Sequence, residues 1–334
     1  MIKDFSFISI IVPARNEEKF IRGFLDSLLK QNYPKEKIEI ILADGKSGDK
    51  TVKIAKEYFG RLSGLRIITN AKKITSAGLN LAIKAAKGGI VARMDVHAEY
   101  PADYLSRLVS GLEKYQTGNI GPRVIASPAT DTLEAKAIAF CLNSSFGAFG
   151  SDFRLGADKP IETDTVFNGC WKKEIFEKIG YFNENLIRSQ DLEFNLRLKK
   201  AGAKIVLLPD LAVKYFPKTT LKEFLRHNFK DGFWAIYPLR FVKMKFKLRH
   251  YLPLAAVSGF LALMFFGFFF WPFRFLFVVF CLVYLVLNFG FSVLICLKEK
   301  SPDYFRFLFL AFVWRHFGYG FGSLLGAVKL MTGR

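Results

Sequence analysis

Ile90-Val91-Ala92-Arg93-Met94-Asp95-Val96-His97 is the stretch on which the reading of this chain turns. A run of strand length ends in a carboxylate and, two residues on, an imidazole, before a turn closed by Pro101. Both are potential metal ligands. The carboxyl end of a buried strand is a place where a divalent cation can bridge protein and phosphate. A D-x-H pair is short, so its meaning comes from what surrounds it.

Upstream, apolar runs alternate with helical spacing. Residues 8–12 read as a strand stopped by Pro13, 38–43 as a second and 65–69 as a third, with 90–94 as the fourth. Between them, helices are expected at 17–31, 49–59 and 76–87. The first carries Phe20, Ile21, Phe24, Leu25, Leu28 and Leu29 on one face, Asp49 can cap the second, and Gly88-Gly89 closes the third. This order implies an α/β fold with a mainly parallel, Rossmann-like sheet covered by helices, whose ligands bind outside the carboxyl ends of the strands. Three loops meet that condition: Pro13-Ala14-Arg15-Asn16-Glu17, Asp44-Gly45-Lys46-Ser47-Gly48-Asp49 and Asp95-Val96-His97. Singly, Asn16 and Asp49 could serve only as helix caps, and Gly45 and Gly48 only as turns. Three such loops at one sheet edge point to a shared ligand.

The later part is less regular. A helical stretch is expected at 133–149, order returns at 166–171 with a helix at 173–179, Ser189-Gln190-Asp191 precedes a helix at 192–201, and 204–208 is a late strand. Trp171 reads as a core or acceptor-wall aromatic.

The chain has 334 residues, a net charge of +20, 51% hydrophobic residues and 37 phenylalanines. Residues 251–272 and 275–297 carry no charge, with Arg274 between them, and each run is long enough to cross a bilayer. A buried hairpin of a soluble core is disfavoured by phenylalanines on all faces. Lys243, Lys245, Lys247 and Arg249 precede the first run and Lys298 and Lys300 follow the second, so both flanks are expected on the cytoplasmic side, beside anionic head groups. The start of the chain shows no export leader. Residues 219–241 mix large apolar side chains with Arg226, Lys230 and Arg240, as in a helix lying in the membrane interface. Residues 304–330 form a possible third segment, interrupted by Arg315-His316, with Gly318, Gly322 and Gly326 spaced for close helix packing. The organisation is therefore a catalytic domain at 1–215, an interface segment at 216–250 and a transmembrane region at 251–334. The cysteines, Cys141, Cys170, Cys281 and Cys296, lack metal spacing and fit a reduced compartment. Nucleic acid is not the expected partner, because the excess charge clusters beside lipid-length segments.

Ser9-Ile10-Ile11-Val12-Pro13-Ala14-Arg15-Asn16-Glu17, residues 42–51 and Arg93-Met94-Asp95-Val96-His97-Ala98-Glu99-Tyr100-Pro101 together resemble family 2 glycosyltransferases of the GT-A fold. The last motif is most similar to the membrane-anchored, succinoglycan-type exopolysaccharide enzymes. The resemblance covers roughly residues 6–215. It implies that Pro13, Ala14 and Glu17 line a uridine pocket, that Asp44 meets the uracil with Ser47 nearby, and that Asp95 approaches ribose and metal. His97 stands where the family usually has a second aspartate, a departure that still suits Mn²⁺ or Mg²⁺ and tilts towards manganese. Asp191 would be the general base. Gln190 stands where the family often has glutamate. The Q-x-x-R-W signature of processive synthases is absent.

Arg15, Lys73 and Arg188 are candidate diphosphate contacts; Asn168, Gly169, Trp171 and Gln190 are candidate acceptor contacts; Arg226 and Lys230 are candidates for lipid phosphate. With no second carboxylate placed as a covalent nucleophile, one displacement with inversion is expected. The implied reaction moves a sugar from a nucleotide-diphosphate donor to a polyprenyl-linked acceptor at the cytoplasmic face of the membrane. The alternatives are a polyprenyl-phosphate sugar synthase and, in another class, an inactive membrane scaffold with a nucleotide-binding domain.

Overall fold

The computed structural model describes residues 5–241 and 247–332. Lys243 and Lys245 of the expected basic belt, and the first four residues, lie outside them. The chain divides into two compact units, one of residues 1–125 and 152–215, the other of 126–151 and 216–334.

The first unit is built on a mixed sheet. Its strands are β1 (Ile8–Ala14), β2 (Ile38–Asp44), β3 (Leu65–Thr69), β4 (Ile90–Arg93), β5 (Ala98–Glu99), β6 (Asn119–Ala126), β7 (Ile161–Glu162), β8 (Cys170–Lys172) and β9 (Ile205–Tyr215). The order is 3-2-1-4-8-6-9-5, with β7 pairing β9. β3, β2, β1 and β4 pair in parallel, and the β4-β8, β6-β8, β5-β9 and β7-β9 ladders are antiparallel. The helices are α1 (Ile21–Leu29), α2 (Thr51–Lys56), α3 (Thr75–Ala85), α4 (Tyr104–Tyr115), α5 (Leu133–Asn143), α6 (Ser145–Ala148), α7 (Asp152–Leu155), α8 (Glu174–Ile179), α9 (Gln190–Lys200), α10 (Leu221–Ile236), α11 (Leu252–Phe269), α12 (Trp271–Lys298), α13 (Phe305–Val313) and α14 (Tyr319–Thr332). Of these, α5, α6 and α10–α14 belong to the second unit.

The two-residue period of β1 explains its position. Ile8, Ile10 and Val12 pack on one face with Phe24, Leu25 and Leu28 of α1 and Leu105 and Leu108 of α4. Ile11 faces the other way, with Leu79 and Ile83 of α3 and Phe176 and Phe194 of α8 and α9. Pro13 does not stop the strand as expected. β1 continues to Ala14, because the β4 ladder ends at Ile11 and Pro13 has no partner there that needs its missing N–H. α1 starts at Ile21 rather than 17, since the backbone N–H groups of Glu17 and Glu18 are taken by Thr51 Oγ1 (2.7 Å) and Asp49 Oδ2 (3.1 Å). The late strand runs on from the expected 208 to Tyr215.

One buried carboxylate ties this sheet to its surroundings. Glu39 on β2 accepts from Ser9 Oγ (2.6 Å), Arg66 Nη2 (2.9 Å) and the Lys87 backbone N–H. Burial pushes its pKa up, but the bonds from Ser9, Lys87 and Arg66 outweigh this and leave it below the ordinary 4.5.

In the second unit, residues 126–151 pack with the C-terminal helices rather than with the N-terminal domain. The cause is the apolar face of α5: Ile138, Cys141 and Leu142 cluster with Leu221, Phe224, Ala311 and Phe312. The helix expected over 133–149 breaks at Ser144, whose Oγ accepts from Gly147 N and starts α6. α11 and α12 are long and apolar enough to cross a membrane. The break between them falls at Phe270, not at Arg274, which stands in the first turn of α12 and donates back to the carbonyls of Gly267 (3.0 Å) and Phe268 (3.3 Å). The third apolar segment is α13 and α14 joined through a π-helical turn at Trp314–Gly318. Arg315, expected to interrupt it, is buried instead, donating to Gly147 O (3.0 Å) and Asn228 Oδ1 (2.5 Å). α10 does not lie alone as an interface helix: it packs along α14 so closely that a Cβ on Gly322 would overlap the Phe229 carbonyl, and one on Gly232 would overlap the Tyr319 carbonyl.

Two outcomes follow from these contacts. Glu39→Gln lowers unfolding stability near neutral pH by about 1–3 kcal/mol. Since its folded-state pKa is depressed, that stabilisation is present above about 4.5 and is lost as pH falls through the lower folded value, so the gap to the parent closes in acid; denaturant titrations across pH check this. Gly322→Val costs about 1–3 kcal/mol or more by forcing α10 from α14, whereas Gly259→Ala, with open space at its Cβ, leaves the melting temperature in detergent unchanged.

Candidate active site

The loops after β1 and β2 are stitched together. Asn16 N donates to Ser47 Oγ (2.9 Å), Gly48 N donates to Asn16 Oδ1 (2.9 Å), and Gly45 N donates to Ala14 O (2.8 Å). Asn16 therefore bridges two loops and is not a helix cap. Its positive φ of 56°, shared by Lys46, is the backbone conformation this crossing requires. Asp49 does both things expected and unexpected of it: Oδ1 takes the Thr51 N–H at 3.0 Å, at the start of α2, while Oδ2 holds Glu18.

Asp44 ends β2 with its carboxylate curled over its own loop, accepting from Ser47 Oγ at 2.6 Å and Ser47 N at 3.2 Å. The next loop joins it, since Asn70 N donates to Asp44 O (2.8 Å), and this brings the left-handed Lys73 to the same edge. The Arg15 side chain lies against Gly45. Pro13, Ala14, Arg15, Glu17, Asp44, Ser47 and Lys73 thus come from three loops at the carboxyl ends of neighbouring parallel strands.

The fourth loop holds the charges. Arg93, only 5% exposed on a strand flanked by β1 and β8, donates from Nε to Asp95 Oδ1 (2.8 Å) and from Nη2 to Asp95 Oδ2 (2.9 Å). Its remaining terminal nitrogen, Nη1, bonds Asp191 Oδ1. One guanidinium therefore carries two carboxylates from distant parts of the chain. Burial opposes its charge, but Asp191 and Asp95 together raise its pKa above the ordinary arginine value. The Asp191 carboxyl is pushed above the usual aspartate range by burial and by Asp95, with Arg93 pulling the other way. Tyr100 OH fixes the Asp95 backbone, accepting from its N–H (2.7 Å) and donating to its carbonyl (3.1 Å), and it also accepts from Asn168 Nδ2 (2.6 Å).

Asp191 is not a helix cap. Ser189, left-handed at φ 59°, precedes α9, and Asp191 lies in the first helical turn, where the helix dipole favours a carboxylate. Its side chain keeps 31% of its surface open. Beside it, Gln190 Oε1 is buried without a hydrogen-bond partner among the described residues, as is Asn168 Oδ1. Gly169, at φ 106°, leaves no room for a Cβ beside the Trp171 ring and passes its carbonyl to Arg93 N (3.0 Å). Trp171 itself is no acceptor wall: at 1% exposure it is packed against Phe176, Phe182 and Phe194 in the core. Arg226 and Lys230 are exposed on α10, in the other unit.

His97 has Nδ1 3.7 Å from Glu17 Oε1 and its ring edge-on to Tyr215 at 5.4 Å. With Nδ1 turned to a carboxylate, Nε2 is the nitrogen left for a ligand. Each Asp95 oxygen accepts one Arg93 N–H and retains a further lone pair. Among the described residues no three His, Cys, Asp or Glu side chains gather around a metal position. Asp95 and His97 fit a cation that draws its other ligands from diphosphate and water. No role was assigned from the sequence to Arg93, Tyr100 or Tyr215, although the first two lie in the quoted motif. The signal for Arg93 was a lone charge inside a strand of otherwise apolar residues, which burial obliges to find partners.

These features can be set beside known proteins. The family model described as glycosyl transferase family 2 matches residues 9–180. A relative from Methanococcus voltae, dolichyl N-acetyl-alpha-D-glucosaminyl phosphate 3-beta-D-2,3-diacetamido-2,3-dideoxy-beta-D-glucuronosyltransferase, is 31% identical over 232 residues, spanning 68% of this chain and 72% of its own length. Succinoglycan biosynthesis protein ExoA of Rhizobium meliloti (strain 1021) is 28% identical over 254 residues, 71% and 76% of the two chains. Among solved structures, the mannosyltransferase PcManGT of Pyrobaculum calidifontis, in complex with GDP-Man and Mn2+, superposes with a TM-score of 0.61 at 18% identity, over 99% of this chain and 89% of that one, which identifies the shared GT-A type of fold. The chain belongs to glycosyl transferase family 2, and it is a glycosyltransferase.

Proposed function

We propose that this enzyme moves a sugar from a nucleotide-diphosphate donor, UDP-linked, to a lipid-linked saccharide at the cytoplasmic membrane face, with inversion at the anomeric carbon. The observation that carries the reading is the pairing of Asp95 and Asp191 on one buried guanidinium, beside three polar loops at the same sheet edge. A relative named for action on a dolichyl-linked sugar phosphate and another named for succinoglycan biosynthesis support a lipid-linked acceptor. The two apolar helices supply a tether to the membrane where such an acceptor resides.

In this mechanism Asp44 and Ser47 receive the base, Glu17 lines its pocket and Asp95 meets the ribose. A divalent cation, when bound at Asp95 and His97, offsets charge growing on the leaving diphosphate. Arg15 and Lys73 face the same charge. The acceptor hydroxyl attacks the anomeric carbon, the bond from that carbon to the diphosphate oxygen breaks, and the hydroxyl proton passes to Asp191. The product glycosidic bond takes the opposite anomeric configuration, since a single attack occurs from the face away from the leaving group. Gln190, next to Asp191, and Asn168, bonded to Tyr100, have side-chain oxygens that are buried without a partner among the described residues, and Asp191 is the group that keeps an open edge.

The donor is found by measuring thermal stabilisation with UDP-, GDP- and dTDP-sugars in Mn²⁺. Stabilisation by GDP-sugars alone contradicts the uridine assignment. Asp191→Asn lowers turnover by about 10²–10⁴-fold and leaves UDP affinity near that of the parent. Parental turnover in this variant excludes Asp191 as the base. The rate falls in acid at a pH above the ordinary aspartate range, because burial holds Asp191 there and the proton acceptor must be ionised. His97→Ala raises the Mn²⁺ concentration for half-maximal rate roughly tenfold or more; an unchanged metal titration excludes His97 as a ligand.

A further inference from the structure

Arg93 is an expensive residue to keep where it is. It lies on β4, with parallel β1 on one side and antiparallel β8 on the other, and its side chain is shut away from water. A buried guanidinium needs acceptors for its N–H groups, and a single carboxylate would have balanced its charge. Here the two partners differ in kind. Asp95 is gripped at both oxygens by a planar fork, which fixes the plane and rotation of its carboxylate. Asp191 is held at one oxygen only and keeps an open edge. The shared guanidinium therefore sets the distance and angle between a group two residues beyond β4 and a group in the first turn of α9. The positions of those two elements are themselves tied through the same strand, because Arg93 N takes the carbonyl of Gly169, next to Asn168, whose amide reaches Tyr100 and so the Asp95 backbone.

We infer that Arg93 is a positioning residue for sugar transfer, holding the donor-side carboxylate Asp95 and the proton acceptor Asp191 in fixed register and allowing two anions to stand in one small site. The inference rests on the proposed role of Asp191, and it gives the reaction a requirement that role does not contain. The requirement is for a guanidinium specifically. A lysine at this position offers one compact charge on a flexible stem, without the fork that engages both Asp95 oxygens while a third N–H reaches Asp191. If the trio served stability alone, any substitution that folds would transfer sugar normally.

The test uses the full-length enzyme in detergent, with UDP as the binding probe in calorimetry and nucleotide release from the donor that stabilises it most as turnover. Arg93→Ala is expected to lower kcat by about 100-fold or more while UDP affinity stays within about threefold, and methylguanidinium at tens of millimolar restores at least about a tenth of the lost rate. Asp191→Asn, measured alongside, gains nothing from methylguanidinium. Arg93→Lys, the variant that decides the matter if the alanine protein fails to fold, is expected to lose roughly tenfold in kcat with little change in KM. Parental kcat in Arg93→Lys overturns the inference, and so does a loss in Arg93→Ala that appears equally in UDP affinity and ignores methylguanidinium. Asp191→Asn at the parental rate would instead overturn the base assignment, whatever the arginine variants do.

Discussion

A cation removed from water in the middle of a sheet is the constraint on which this catalytic unit turns. Arg93 must be compensated, and the compensation reaches from β4 into the following loop and across to α9. Removing either carboxylate leaves the guanidinium undercompensated; removing the guanidinium leaves two buried anions facing each other. The surrounding apolar layers keep water out, and so make this interaction strong. Ile11 and Val91 of the strands beneath, with Phe176 and Phe194 from the helices, form one continuous cluster. Rigid apolar packing below and a tense polar group above are two aspects of one arrangement.

The loops proposed to take the nucleotide are built differently. They are held by many ordinary hydrogen bonds: Asn16 with Ser47 and Gly48, Glu17 with Thr51, Glu18 with Asp49, Asn70 with Asp44. Each is worth on the order of 1 kcal/mol, yet together they fix the loop pair before any ligand arrives. A preformed pocket loses less conformational entropy on binding. By contrast, the side-chain oxygens of Gln190 and Asn168 are buried without a hydrogen-bond partner among the described residues.

How much of this could be read from the chain depends on length and burial. The four parallel strands were legible because each is an apolar run with its own stop, and the three loops followed from them. Of the antiparallel part only the late strand was read, since β5, β7 and β8 have two or three residues and cannot show a period. Asp95 stood out as a carboxylate at the end of an apolar strand, whereas Asp191 was singled out by the family resemblance. Their meeting on Arg93 could not be seen, because it depends on closure between positions remote in sequence. Of the two readings of Trp171, core or acceptor wall, the sequence could not choose; the fold turns its ring into the core. The pair of apolar helices was plain from its lack of charge, but the helix boundary was placed at Arg274, where a charge suggested an ending and Phe270 supplies the real one.

Arg274 has a further consequence. The last turn of α11 exposes carbonyl groups that nothing in hydrocarbon could solvate, and this side chain covers two of them from the next helix. The only cation between the two apolar runs is thus engaged within the hairpin itself. The elbow between these two apolar helices carries its own counter-dipoles, with acceptors and charge paired to each other instead of left bare.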